Sequence, residues 1–204
     1  MSKTIEFFFD VGSPTSYLAW TQLPKIAARN GAALRFRPML LGGVFKATGN
    51  ASPAAIPAKA QYMNADMARF AKRYGVRLGG NRHFPVNTLA IMRMATAAEA
   101  EGRLEPFLAA IYPAMWVDGE NLGEEAVLRG VLGRAGLDAD ALFAAAARDD
   151  VKARLKETTE EAVSRGVFGA PTCFVGTEMF FGQDRLDFIE EALKGEAGPQ
   201  IRRL

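Results

Sequence analysis

The chain has 204 residues, 49% hydrophobic and 24% charged, with a formal net charge of +2. That length supports one or two units with a proper core, and the charge excludes a strong electrostatic case for nucleic acid. The single cysteine, Cys173, and single histidine, His83, exclude an intramolecular disulfide and a Cys/His metal set.

The stretch KTIEFFFDV reads as a buried strand ended by Gly12. Glu6 and Asp10 flank so short an apolar run that it is no signal peptide, and no later run approaches the roughly 20 residues of a membrane span. A soluble, cytoplasmic chain without a membrane partner is therefore expected. Pro14 to Asn30 reads as a helix, with Tyr17, Leu18, Trp20, Leu23 and Ile26 at helical spacing, Pro24 as a point of kinking and Gly31 as the stop. ALRFRPMLL is a second strand, completing a βαβ unit whose strands should run parallel.

From Gly42 to Ala60 the sequence reads as loop, rich in Gly, Asn and Pro. Helical patterns follow over 60–74, 88–102, 105–116, 123–136 and 138–147. A helix over 151–165, the loop GVFGAPT, strands over 173–176 and 178–181, the turn GQD and a helix over 185–194 complete the chain. The tail from Gly195 reads as loose, Arg202-Arg203 included. The outer segments are thus mixed α/β and the middle helical: one sheet built from residues 1–45 and 150–204, with a helical domain, 46–149, inserted between.

Three junctions carry chemical promise. Ser13 is a good N-cap and Pro14 a good first helical residue, which alone accounts for them. The same place presents unpaired N–H groups and a positive dipole end to an anion. In GVFGAPTCFV, Pro171 opens a strand and is a place for a cis-proline. In GQDRLDF, Asp184 stands at a helix start, where a plain cap is the ordinary reading. His83, in GGNRHFP, reads as a solvated loop residue, and Cys173 as a buried apolar filler.

In this order the junctions resemble the thioredoxin fold with a large inserted helical domain, as in DsbA-like oxidoreductases. The stretch Ser13-Pro14-Thr15-Ser16 stands where that superfamily carries C-P-x-C, so dithiol exchange is chemically closed to this chain. The blocks FFFDVGSPTSYLA, RPMLLGGVFKATGN, FPVNTLAIMR, GVFGAPTCFV and FFGQDRLDFIEEAL resemble the 2-hydroxychromene-2-carboxylate isomerases and their relatives, the kappa-class glutathione transferases. The resemblance covers Ile5 to Leu193, and LGGVFKATGN points to the isomerase branch. Two departures are Gly12, where relatives often carry a bulkier residue and which would widen the site, and Gln183, where Ser or Asn is common.

The resemblance implies glutathione as bound cofactor, a small aromatic substrate and a homodimer. Ser13 would hold the glutathione thiolate. Lowering a thiol pKa by two units from about 8.5 takes roughly 2.7 kcal/mol, within reach of one hydrogen bond to a charged group plus a helix terminus. Tyr17 is a possible second donor, though its place in the helical stripe favours packing. Asp184 would pair the γ-glutamyl ammonium, Gln183 its carboxylate, and Ala170 the cysteinyl backbone; Asn50 and Lys59 would take the glycine end. Lys59 reads equally as an ordinary exposed lysine. In the implied isomerisation, thiolate addition to a conjugated double bond lets that bond rotate, and Lys46, Asn50 and Asn87 would meet the negative charge that develops. Asn87 reads equally as a cap before TLAIMR. Phe45, Tyr62, Met63, Met67 and Trp116 are candidates for an apolar wall.

Two other functions fit the same residues. A kappa-type transferase or peroxidase would release a conjugate rather than an isomer. A non-catalytic binding protein of the same fold would have no use for a convergent polar set such as Lys46, Asn50 and Asp184.

Overall fold

A computed structural model describes residues 3–195; the tail from residue 196, with Arg202-Arg203, lies outside the described residues. The aromatic run forms β1 (Thr4–Phe9), followed by α1 (Pro14–Arg29) and β2 (Ala33–Pro38). β1 and β2 pair in parallel, Thr4 opposite Ala33 and Phe9 opposite Pro38. α1 continues through Pro24, is capped at Asn30, and Gly31 takes the positive φ (60°) that a Cβ would resist.

The three consecutive phenylalanines sort by strand periodicity. Phe7 and Phe9 point into the larger core, while Phe8 points to the other face, among Met39, Val44, Ala162, Val167 and Phe174. β1 is buried on both faces, as the apolar run requires. β3 (Thr172–Val175) pairs antiparallel with β1, and β4 (Glu178–Phe181) with β3, giving the order β2-β1-β3-β4.

The loop expected over 42–60 is not one. α2 (Leu41–Thr48), a 3₁₀ turn (Pro53–Ala55) and the start of α3 (Pro57–Tyr74) occupy it. Gly42 and Gly43 lie inside α2. A Cβ on Gly43 would meet Thr159 Cγ2 at 3.2 Å, so this glycine admits close packing rather than breaking the helix. Val44 buries on the Phe8 face, and the chain turns only at Gly49, with φ at 71°. Tertiary contacts outweigh local propensity here.

The remaining helices fall within a few residues of expectation: α4 (Leu89–Ala100), α5 (Leu104–Trp116), α6 (Glu125–Arg134), α7 (Ala139–Ala147), α8 (Asp149–Ser164) and α9 (Leu186–Lys194). One hydrophobic cluster runs through β1, α1 and α4 to α7, so strands and intervening helices share an interior. No described helix is long and apolar enough to cross a membrane.

Candidate active site

The site begins where β1 ends. Asp10 is 1% exposed and its carboxylate gathers three elements. It accepts from the Gly12 N–H at 2.8 Å, from the Leu41 N–H at the start of α2 at 2.8 Å, and from the hydroxyl of Thr88 before α4. Burial pushes this carboxyl above its ordinary value, against the pull of those three donors. Trp116 Nε1–H closes the loop from above, donating to the Val11 carbonyl at 2.8 Å. A Cβ on Gly12 would meet Thr88 Cγ2 at 2.9 Å. The expectation from sequence that Gly12 widens the site is therefore corrected: Thr88 fills that space.

Held this way, the chain enters α1 with Ser13 as N-cap. Ser13 Oγ accepts from the Ser16 N–H at 3.1 Å, lies 2.9 Å from Thr15 Oγ1, and donates to the Ala170 carbonyl at 3.0 Å. Thr15 Oγ1 is 3.2 Å from that same carbonyl. Capping and convergence are therefore both real: the expected cap also touches a loop 157 positions away in sequence. The Ala170–Pro171 bond is cis, as is Phe84–Pro85. Ser16, at the second cysteine position of the superfamily motif, is wholly buried, and its Oγ has no partner.

The Ala170 loop is the hub for the rest. Asn50 Nδ2–H donates to the Phe168 carbonyl at 2.8 Å, joining the end of α2 to it. Gly182 N–H donates to the Pro171 carbonyl at 3.0 Å and brings in the turn Gln183–Arg185. Gly182 has φ at 99°, and a Cβ there would stand 2.2 Å from Asp184 Oδ1, so only glycine lets that carboxylate fold back. Asp184 then accepts from Arg185 Nη1 at 2.9 Å. Gln183 is 4% exposed, and its carbonyl accepts from the hydroxyl of Tyr74 on α3. Burial raises that phenol to about 12, so it is a donor at any working pH.

The structure thus links Ser13, Ala170, Asn50, Gln183 and Asp184 through backbone and side-chain hydrogen bonds around one loop. Lys46 and Lys59 are exposed, on α2 and the first turn of α3, the latter beside Pro53, Tyr62 and Met63 in a shallow apolar groove. Asn87 is exposed and its Oδ1 accepts from the Leu89 N–H at 3.1 Å; the N-cap position itself is Thr88, so Asn87 serves the helix start from one residue before the cap it was equally expected to be. Met67 and Trp116 are buried in the core. Tyr17 packs and spends its hydroxyl on the Arg77 carbonyl at 2.9 Å. Cys173 is 2% exposed with its thiol pushed up by burial, a filler and not a nucleophile. His83 is partly buried and accepts from Arg82.

Sequence reasoning missed Asp10, Thr15, Thr88 and Tyr74 as site-building residues. Asp10 alone carried a signal, an acidic residue ending a run of three phenylalanines. The others sit against groups about 80 to more than 150 positions away, which spacing does not reveal.

A model of the DSBA-like thioredoxin domain matches residues 4–194. The chain belongs to the DsbA-like thioredoxin family. Within it, the chain belongs with the 2-hydroxychromene-2-carboxylate isomerases, to which the kappa-class glutathione transferases are related. The 2-hydroxychromene-2-carboxylate isomerase of Sphingobium xenophagum is 37% identical over 197 residues, covering 95% of this chain and 99% of the relative. Glutathione S-transferase kappa 1 of Homo sapiens is 30% identical, over 95% and 92%. A solved structure of a 2-hydroxychromene-2-carboxylate isomerase superposes with a TM-score of 0.84 at 30% identity, over 94% and 95%.

Proposed function

We propose that this protein is a glutathione-dependent isomerase interconverting 2-hydroxychromene-2-carboxylate and trans-o-hydroxybenzylidenepyruvate, a step in aromatic-hydrocarbon breakdown. The observation that carries the reading is Ser13: a hydroxyl, not a thiol, at the N-terminus of α1 and 3.0 Å from the carbonyl before a cis-proline. A chain lacking both motif cysteines must take its sulfur from elsewhere. The residues present suit glutathione: a donor at a helix terminus for sulfur, the Ala170 peptide for the cysteinyl backbone, and the Asp184 carboxylate for the ammonium.

When bound, glutathione supplies a thiolate that adds reversibly to the substrate's conjugated double bond and so permits its rotation. Ser13 donates to that sulfur and holds it ionised. Gln183 and Asp184 hold the γ-glutamyl end, Asn50 and Lys59 the glycine end. Lys46, Asn50 and Asn87 meet the charge that develops on substrate oxygens. Asn50 keeps one amide hydrogen for this after its bond to Phe168. No residue need act as general base, which agrees with the lack of a histidine at the junction. Residues 1–45 and 150–204 form the thioredoxin-like unit of the proposal and 46–149 the insertion; the working form is a cytoplasmic homodimer.

The test is absorbance of the equilibrium substrate pair, with and without glutathione. Interconversion that needs glutathione and leaves it unconsumed is expected. Equal rates without it would overturn the reading. The near full-length match to a kappa transferase favours one second reading, and a glutathione conjugate accumulating in place of isomer would select it.

A further inference from the structure

Two hydroxyls and one carbonyl close a triangle at the start of α1. Its edges are 2.9 Å between Ser13 Oγ and Thr15 Oγ1, 3.0 Å from Ser13 Oγ to the Ala170 oxygen, and 3.2 Å from Thr15 Oγ1 to that oxygen. Ser13 is 5% and Thr15 8% exposed. A hydroxyl has one hydrogen and two lone pairs. One lone pair of Ser13 already accepts the Ser16 N–H. The Thr15 hydrogen has two acceptors within reach, and Ser13 is the nearer.

We propose that Thr15 is a positioning residue that donates to Ser13 Oγ and thereby fixes Ser13 as an obligate donor to the sulfur of the bound ligand. The inference rests on the glutathione reading of this site. With Ser16 N–H and the Thr15 hydroxyl on its two lone pairs, Ser13 has only its hydrogen left to offer. In the free protein that hydrogen rests on the Ala170 carbonyl. A thiolate arriving at the helix terminus draws it off, and the carbonyl is released for an amide N–H of the ligand. A protonated thiol finds no acceptor on Ser13, so the triangle selects the ionised form. Linked hydrogen bonds also polarise one another, which makes Ser13 the stronger donor.

A purely structural Thr15, bracing the Ala170 loop, would leave sulfur ionisation alone, and that separates the two roles. Ser13→Cys puts a thiol at this point without any glutathione. Cys173 stays silent, being 2% exposed with its thiol raised by burial. Ultraviolet thiolate absorbance is titrated in Ser13→Cys and in Ser13→Cys with Thr15→Val. Loss of the hydroxyl is expected to raise the pKa of the introduced thiol by about one unit, a tenfold loss of thiolate; Thr15→Ser in its place restores it. The same shift is expected for glutathione bound to Thr15→Val against the parent. An unmoved introduced thiol in folded protein overturns the inference. So does a shift there with none in bound glutathione, since Thr15 would then not act on the ligand. Failure of the parent to bind glutathione overturns the glutathione reading instead, and the introduced thiol alone decides whether Thr15 donates to position 13. Should Thr15→Val lose its circular dichroism spectrum, Thr15→Ala removes the same hydroxyl and serves in its place.

Discussion

The junction from Asp10 to Ser16 and the segment from α2 to α3 both carry residues assigned to the site, and they are built in opposite ways. At the junction the polar side chains of Asp10, Ser13 and Thr15 are buried; Asp10 and Ser13 each bond to a distant element, and Thr15 Oγ1 lies 3.2 Å from the Ala170 carbonyl. Along α2 and α3, Lys46, Asn50 and Lys59 are exposed, and only Asn50 is tied down, to Phe168. In the proposed reaction, chemistry on a sulfur atom is sensitive to small misplacements, which supports fixed in advance of the ligand would serve. On the proposed reading, the two lysines that meet the ligand's far end and the substrate act by charge over a longer range and need no such fixing. If this division is right, variants at the junction cost fold and turnover, while along α2 and α3 a Lys59 variant costs only affinity and variants of Lys46 and Asn50, which meet charge developing on the substrate, lower turnover without loss of fold.

Asp10→Ala should show the largest effect. It strips the partner from the Gly12 and Leu41 N–H groups and from Thr88, and a buried donor left unpaired costs about 1–3 kcal/mol. A fall of about 3 kcal/mol or more in unfolding free energy is expected from urea denaturation. The effect also depends on pH. The folded carboxyl lies above its ordinary value of 3.8 because of burial. Between those two values the folded state binds more protons than the unfolded one, so stability falls as pH rises through the folded value. The gap between parent and Asp10→Ala should therefore be wider near pH 4 than near pH 8. A gap that widens toward pH 8 would show that the three donors outweigh burial.

The same contrast explains how much could be read in advance. The strand–helix–strand start was legible because its signals are local: three phenylalanines, then Ser13-Pro14, then apolar residues at helical spacing. The convergence of Ser13, Ala170 and Asp184 was legible only through resemblance, since nothing local connects them. α2 was not legible. Its glycines at 42, 43 and 49 read as breakers, and the forces that make it a helix come from Asp10, Thr159 and the Phe8 face. Asp10 itself was visible as a residue but not as a hub, because its partners at 41 and 88 lie in other elements.

Ser13→Ala comes next in size and tests the junction alone. One donor to a charged sulfur is worth about 1.5–3 kcal/mol, so turnover should fall by one to two decades and the pKa of bound glutathione should rise. Loss of the cap should cost about 1 kcal/mol of stability besides. An unchanged rate and thiol titration in folded protein would reduce Ser13 to a cap. Asp184→Asn should do less. Its side chain is 36% exposed and its carboxylate already shared with Arg185, so glutathione KM should rise severalfold with kcat nearly unchanged, the pattern of lost uniform binding. A large fall in kcat at constant KM would place Asp184 with the junction instead.

Lys59→Ala should have the smallest effect and is the sharpest probe of the soft side. Lys59 is exposed on the first turn of α3, beside Tyr62, which is 63% exposed. Surface replacements of this kind usually leave stability within about 0.5 kcal/mol, so the denaturation curve should superimpose on the parent's. A lysine meeting a carboxylate in water gains about 0.2–1 kcal/mol, which predicts glutathione binding weaker by a factor of about 1.4 to 5. Salt then discriminates. An exposed pair is screened over about 10 Å at 0.1 M ionic strength and about 3 Å at 1 M. Calorimetric affinities of parent and Lys59→Ala should differ at low salt and converge at high salt. If the gap persists at 1 M, the ligand and Lys59 meet out of water, and this stretch of α3 closes over the bound molecule as firmly as the junction holds its sulfur. If there is no gap at any salt, Lys59 is an ordinary surface lysine, and the glycine end of the ligand depends on Asn50.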